Sequence, residues 1–273
     1  MSLTSDLGEG PPSPCSQGRH DSLIQSPFRP ICANSRVDSI ITQRHAQEKN
    51  GMKLILFDID GTLLDSGEAG AKSLNLAFEE LFSIRDAFQA IHMAGKTDIQ
   101  IMREGLIKHG LVSEDEDVGL LCKKYIKHLL KEIENPRRHV KPGVQECLEM
   151  LSDTDDMHLG LLTGNIETGA RIKLSPFGLN SYFPFGAFGN DDEDRNKLLP
   201  IAAQRFRYLY QKSIDYRDCC IIGDTPRDVE CAKIHGARAI AVATGPYPYE
   251  SLTQSGADLV LRDLTEMDSA SLR

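Results

Sequence analysis

The stretch Met52-Lys53-Leu54-Ile55-Leu56-Phe57-Asp58-Ile59-Asp60-Gly61-Thr62-Leu63-Leu64-Asp65-Ser66 decides how this chain is read. Leu54 to Phe57 form a short unbroken apolar run, the pattern of a strand covered on both faces of a parallel sheet. The run stops at Asp58, Asp60 follows two residues later, and Gly61-Thr62 supplies permissive backbone for a sharp turn. Two carboxylates at i and i+2 on extended backbone project to the same side. Both therefore belong over the carboxyl end of a central strand, where open α/β sheets bind their ligands. Simpler motifs fail. A calcium loop starting at Asp58 needs Gly at its sixth position and Glu at its twelfth, and these are Leu63 and Ala69. In Gly67-Glu68-Ala69-Gly70-Ala71-Lys72-Ser73 the residue before the lysine is Ala71 and the spacing is wrong for a phosphate-cradling loop.

On the N-terminal side, residues 1–51 are rich in Ser, Pro, Gly, Gln and Arg with only short apolar pieces. Such a composition buries too little surface to order itself, so the segment reads as a disordered leader or as an extension ahead of a natural start at Met52. Its acidic residues make it a poor organelle-targeting peptide. On the C-terminal side, residues 67–138 carry apolar residues at helical spacing, as in Leu74, Ala77, Phe78, Leu81 and Phe82, with no convincing strand. This block is expected to be an inserted α-helical domain. Its polar turn Ala94-Gly95-Lys96-Thr97-Asp98 is either helix punctuation, with Thr97 or Asp98 as an N-cap, or a functional loop.

From 139 onward, strand-like runs alternate with helical ones. His158 to Leu162 ends at Thr163-Gly164-Asn165, a weaker strand spans Phe183 to Phe188, Cys219 to Ile222 ends at Gly223-Asp224-Thr225-Pro226, and Arg238 to Val242 and Asp258 to Leu261 follow. This alternation specifies a doubly wound parallel α/β sheet, Rossmann-like, built from 52–66 and 139–273 and interrupted by the helical insert.

The chain has 273 residues, 40% of them apolar, and a formal net charge of -9, which argues against nucleic acid or an anionic membrane as the main partner. Seven cysteines, at 15, 32, 122, 147, 219, 220 and 231, include no Cys-x-x-Cys. Neither a zinc knuckle nor a disulfide framework is indicated, and reduced thiols in a cytoplasmic protein are expected. No apolar stretch reaches the length of a membrane span.

Each polar cluster comes directly after an apolar strand, so Asp58, Asp60, Thr163, Asp224 and Asp228 converge along one edge of the sheet. Four carboxylates there need a counter-charge. A hard divalent cation held by oxygens meets that need, and magnesium suits carboxylates plus a phosphate oxygen.

Asp58-Ile59-Asp60-Gly61-Thr62, Thr163-Gly164-Asn165, the basic Arg195 leading into a helix, and Gly223-Asp224-Thr225-Pro226-Arg227-Asp228 resemble the four ordered motifs of the haloacid-dehalogenase-like hydrolase superfamily. The resemblance covers the chain from Met52 onward, and within the superfamily the chain is similar to phosphoglycolate-phosphatase-like members, which carry a helical cap between the first and second motifs. It implies that Asp58 is the nucleophile of an aspartyl-phosphate mechanism and that Asp60 is the general acid and base. Thr163 with the backbone of Gly164 and Asn165 would hold phosphoryl oxygens, and Arg195 would neutralise them. Magnesium would sit among Asp58, the Asp60 carbonyl, Asp224 and Asp228. The third motif is usually a lysine. Here Arg195 fits its spacing to Pro200, and Lys197 is the other candidate.

Dehalogenases and phosphonate hydrolases of this superfamily lack an aspartate two residues after the nucleophile, so Asp60 points to phosphoryl transfer. The expected reaction is hydrolysis of a small phosphorylated metabolite. A phosphomutase of the β-phosphoglucomutase type is the alternative, although the histidine that such mutases carry would fall near Gly70. A non-catalytic phosphate-binding protein would predict loss of Asp58, Asp60 or Asp224, and all are present. Lys96 and Thr97 of the polar turn are the candidate substrate-binding residues of the insert, with Lys96 placed to meet a carboxylate such as that of phosphoglycolate.

Overall fold

A computed structural model describes residues 51–272. The leader expected over 1–51 lies outside the described residues except for Gly51. The strand β1 (Lys53–Phe57) stands in the middle of a six-stranded sheet. It is flanked by β4 (Met157–Leu162) on one side and β6 (Cys219–Gly223) on the other, with Leu56 opposite both Gly160 and Ile221. Beyond β4 lies β5 (Gly186–Ala187), and beyond β6 lie β7 (Arg238–Val242) and β8 (Leu259–Leu261). Every pairing in this sheet is parallel.

The unbroken apolar run of β1 is explained by burial on both faces, because successive side chains alternate across a strand. Ile55 and Phe57 pack with Leu159, Leu161, Cys220 and Ile222 against α4 (Val144–Ser152) and α5 (Glu167–Leu174). Leu54 and Leu56 face the other way, with Ile221 and Ala239, against α6 (Leu198–Tyr210) and α7 (Pro226–Lys233). A short α8 (Tyr249–Gln254) adds Leu252 to that second core. This is the doubly wound α/β sheet expected from the alternation of elements.

Between β1 and β4 the chain forms α1 (Ala69–Phe82), α2 (Asp98–Lys108) and α3 (Asp115–Glu132). They share a third apolar core, in which Phe78, Phe88, Met102, Leu121 and Tyr125 are fully or nearly fully buried. The chain leaves and re-enters the sheet through a two-stranded antiparallel ribbon, β2 (Leu64–Asp65) with β3 (His139–Val140), which pairs Leu64 with Val140. Two-residue strands carry no periodicity, so this ribbon was not readable from the sequence.

The strand expected over Phe183 to Phe188 is a correction. Only Gly186 and Ala187 pair with β4, at the sheet edge, and Leu179–Tyr182 turns as a 3-10 helix. Pro184 interrupts the apolar run and has no N–H for a ladder.

Candidate active site

The carboxyl ends of β1, β4 and β6 meet, and the residues just past them form the site. Asp58 follows β1, donates its backbone N–H to Ile222 O at 2.9 Å and is buried. The chain then doubles back: the N–H groups of Thr62, Leu63 and Leu64 all point to Ile59 O, and Gly61 takes a positive φ of 84°. At Gly61 a Cβ would fall onto the Asp224 carboxylate, so the turn needs glycine for space as well as conformation. Asp224 follows β6 and accepts the Thr62 hydroxyl at 3.0 Å. Asp228, on the first turn of α7, accepts the Thr225 N–H and hydroxyl in a capping box.

Arg195 ties these carboxylates together from the far side. It begins the 3-10 turn Arg195–Lys197 that leads into α6, and it is buried. Its Nη2 lies 3.2 Å from Asp58 Oδ2 and donates to Asp228 Oδ1, while its Nε is buried without a partner. Oxygens of Asp58, Asp224 and Asp228 lie within 4.8 Å of one another. Three carboxylates thus face one guanidinium.

The electrostatics follow from that surplus. Burial pushes the Asp58 carboxyl up to about 6 from its ordinary 3.8; Arg195 and the Thr163 hydroxyl pull it down, and Asp228 adds to the rise. Burial, then repulsion from Asp228 and Asp58, raises Asp224 well above the usual carboxylate range, against the Thr62 hydrogen bond and Arg195. Burial works against the Arg195 charge, yet Asp228 and Asp58 hold the guanidinium firmly protonated. An all-oxygen, buried and negatively overcharged donor set fits a hard divalent cation.

Asp60 stands in a different setting. Its side chain is 42% exposed, and its Oδ2 accepts both Asn165 Nδ2 at 2.9 Å and Lys173 Nζ at 2.6 Å. Thr163, fully buried after β4, accepts the N–H and Nδ2 of Asn165 at 3.3 and 2.9 Å. Lys173 also donates to Asn165 Oδ1 at 2.6 Å. Asp58, Asp60, Asn165, Arg195, Asp224 and Lys173 all border one cavity of about 560 Å³, which extends under α1 and α2 past Leu74 and Tyr125.

A family profile described as "Haloacid dehalogenase-like hydrolase" matches residues 55–242, a span that contains every one of these groups. The chain belongs to that family. The hydrolase is similar to "Phosphoglycolate phosphatase" of Aliivibrio fischeri, with 26% identity over 77% of this chain and 92% of the relative. It is likewise similar to "Phosphoglycolate phosphatase 1" of Pseudomonas aeruginosa, with 25% identity over 79% of this chain and 78% of the relative. Among solved structures, CbbY from Rhodobacter sphaeroides in complex with xylulose-(1,5)bisphosphate superimposes with a TM-score of 0.65 at 16% identity, covering 81% of this chain and 99% of that one. That likeness is one of fold.

The remaining residues singled out from the sequence of this hydrolase divide. Gly164 is a point of close approach: its carbonyl accepts the Asp98 N–H at 2.7 Å, and a Cβ there would strike the Lys96 backbone. Lys96 borders the cavity with its ammonium on Glu104 at 2.5 Å. Thr97 is not brought to the cavity. Its hydroxyl accepts Gln100 N–H as the N-cap of α2 and donates to Glu193 O at 3.0 Å, so the punctuation reading is the one the geometry supports. Lys197 points to solvent, 62% exposed, and pairs with Asp192, because two steps along a 3-10 turn from Arg195, about two-thirds of a turn, rotate its side chain outward.

Two buried charges at the site carry roles that the sequence did not suggest: Asp98, read there only as a possible N-cap, and Lys173. Asp98 is a buried carboxylate whose Oδ2 accepts Ile166 N–H at 2.9 Å, and burial pushes it up to about 6 while Lys173 pulls it down. Lys173 is buried on α5 in line with Ala170 and Leu174. A lysine on an apolar helical stripe was the available signal, since a buried ammonium requires partners.

Proposed function

We propose that this hydrolase is a magnesium-dependent phosphatase that cleaves a small phosphate monoester through an aspartyl-phosphate on Asp58. The observation that carries the reading is the contrast at the end of β1. Asp58 is buried against Arg195 in a cluster of carboxylates, and Asp60, two residues on, is half exposed to the same cavity. One suits a nucleophile held in place, the other a group that must reach a leaving oxygen and then a water.

In the first half-reaction an Asp58 oxygen attacks phosphorus, the P–O bond to the alkoxide breaks, and Asp60 delivers a proton to the departing oxygen. In the second, Asp60 takes a proton from water as it attacks the phosphoryl group, and Asp58 is released as a carboxylate. Arg195 faces the negative oxygens of the loose transition state, and Thr163 with the backbone at Gly164 and Asn165 orients them. Asp58 and Asp224, with the Asp60 carbonyl, would hold the magnesium. Asp228 stands behind them, since its oxygens already accept Arg195 and Thr225. When bound, the ion supplies positive charge that draws the phosphate in and offsets the surplus of carboxylates.

The insert 67–138 would act as a cap, because α1 and α2 roof the cavity and exclude bulk water from the reacting group. The relatives' names favour a phosphoglycolate-like substrate. Lys96 would meet its carboxylate by exchanging Glu104, which now holds it. A phosphomutase is disfavoured by Gly70, which offers no side chain where the family's mutases carry histidine. Among the described residues no helix is long and apolar enough to cross a membrane. The described cysteines are free thiols, in keeping with a cytoplasmic setting.

The test is hydrolysis of para-nitrophenyl phosphate and of a panel of metabolite phosphates, with magnesium or with chelator. Activity should require magnesium, and Asp58→Asn should lower kcat by at least about 10³-fold while leaving the circular dichroism unchanged. Hydrolysis that survives Asp58→Asn would remove this mechanism.

A further inference from the structure

Among the described residues, both hydrogen-bond donors to the Asp60 carboxylate share Oδ2, and one of them comes from α5. Lys173 Nζ and Asn165 Nδ2 both donate to Asp60 Oδ2, and Lys173 also donates to Asn165 Oδ1, closing a ring of three side chains. Asn165 Nδ2 in turn reaches Thr163 Oγ1 at 2.9 Å, and the Thr163 hydroxyl is near enough to Asp58 to pull its carboxyl down. The ring therefore connects the two aspartates of the first motif.

The lysine is costly to place. Its side chain is 5% exposed, and a buried ammonium needs opposite charge close by. Asp60 supplies it directly and Asp98 from the start of α2, so that Lys173 is held protonated although burial opposes this. Room is made for it by Gly70 of α1, where a Cβ would stand 3.3 Å from Nζ. A purely structural ion pair has no reason to end on a half-exposed carboxylate bordering the cavity. Nor would it need both of its donors on the same oxygen.

Resting on the reading of Asp60 as proton carrier, we propose that Lys173 is a positioning residue that locks Asp60 with Oδ2 engaged and Oδ1 turned to the leaving oxygen. Lys173 keeps its own proton throughout. The transferred proton passes only between Asp60, the leaving oxygen and water. Without the lysine, Asp60 keeps only the Asn165 hydrogen bond and loosens, and the steps that need its proton slow while attack by Asp58 does not.

Leaving groups separate these steps. An alkoxide must be protonated as it departs, whereas para-nitrophenolate leaves without help. In Lys173→Met, kcat for an alkyl phosphate should fall about 100-fold with KM within about threefold, as befits loss of proton-transfer geometry. The pre-steady-state release of para-nitrophenol should stay within about threefold of the parent rate, followed by a slow phase limited by water attack. Equal losses in the alkyl kcat and the nitrophenol burst, or no loss in either, would overturn the inference. Should circular dichroism show Lys173→Met unfolded, the same ratio is read from Lys173→Arg, whose wider fork displaces Asp60; a ratio equal to the parent's again overturns it. Asp58→Asn run in parallel keeps the two readings apart. Hydrolysis surviving there removes the proposed function and this inference with it, whereas its loss beside an unchanged Lys173 ratio removes only the inference.

Discussion

Two ionic clusters flank the end of β1, and they are built on opposite principles. On the Arg195 side, Asp58, Asp224 and Asp228 are all buried and share a single guanidinium, so negative charge is left over. On the α5 side, Asp60 and Asp98 enclose the buried Lys173, with Asn165 accepting a second hydrogen bond from it. The first cluster is poised to take up a cation and an anion together. The second carries a smaller surplus, two carboxylates to one ammonium, and is cross-linked by hydrogen bonds. Ile59 alone separates Asp58 from Asp60 in the chain, yet the two aspartates fall into different clusters, because the chain doubles back at Gly61.

The sharpest way to break this comparison is to remove the one cation of the overcharged cluster. Arg195→Met leaves Asp58 and Asp228 buried without their partner, and we expect a loss of roughly 3–5 kcal/mol in urea unfolding with chelator present. Magnesium should restore part of that loss, since it supplies charge to the same carboxylates. An Arg195→Met protein as stable as the parent without metal would show that the cluster is not overcharged.

A smaller effect tests the Lys173 cluster. Asp98 is raised to about 6 in the folded protein from an ordinary 3.8, so between about pH 4 and pH 6 the folded state binds more protons than the unfolded. Stability from this group is therefore greatest at acid pH and falls as pH rises through that window, by roughly 1–3 kcal/mol. Asp98→Asn keeps an acceptor for Ile166 N–H and removes the titration. Its unfolding free energy, measured from pH 4 to 7 with chelator, should lack that part of the decline. Parallel curves for the two proteins would mean that Lys173 already compensates Asp98 fully.

The smallest effect is expected outside both clusters. Lys197 and Asp192 form an exposed pair. Lys197→Ala should change stability by less than about 0.5 kcal/mol and leave kcat within about twofold. A large loss of kcat would return Lys197 to the reacting centre and unseat Arg195.

How much was legible depends on how far each residue's meaning lies from it in sequence. Asp58, Thr163 and Asp224 each end an apolar run, so their place along one sheet edge could be read directly. Arg195 and Lys197 are equally basic and two residues apart, and only the 3-10 turn decides which one faces inward. Thr97 was open between cap and ligand until its bonds to Gln100 and Glu193 were seen. Lys173 was passed over because its partners, Asp60 and Asn165, are 113 and 8 residues away.

The sequence by itself determined the order of the longer sheet strands, the helices between β1 and β4 and the carboxylates at the strand ends, because burial on both faces writes itself as unbroken apolar runs that stop where polar chemistry begins. Only the tertiary structure decided which charges share a cluster. Pairing of buried ions depends on a few ångströms between side chains from distant segments, and neither composition nor spacing encodes that distance.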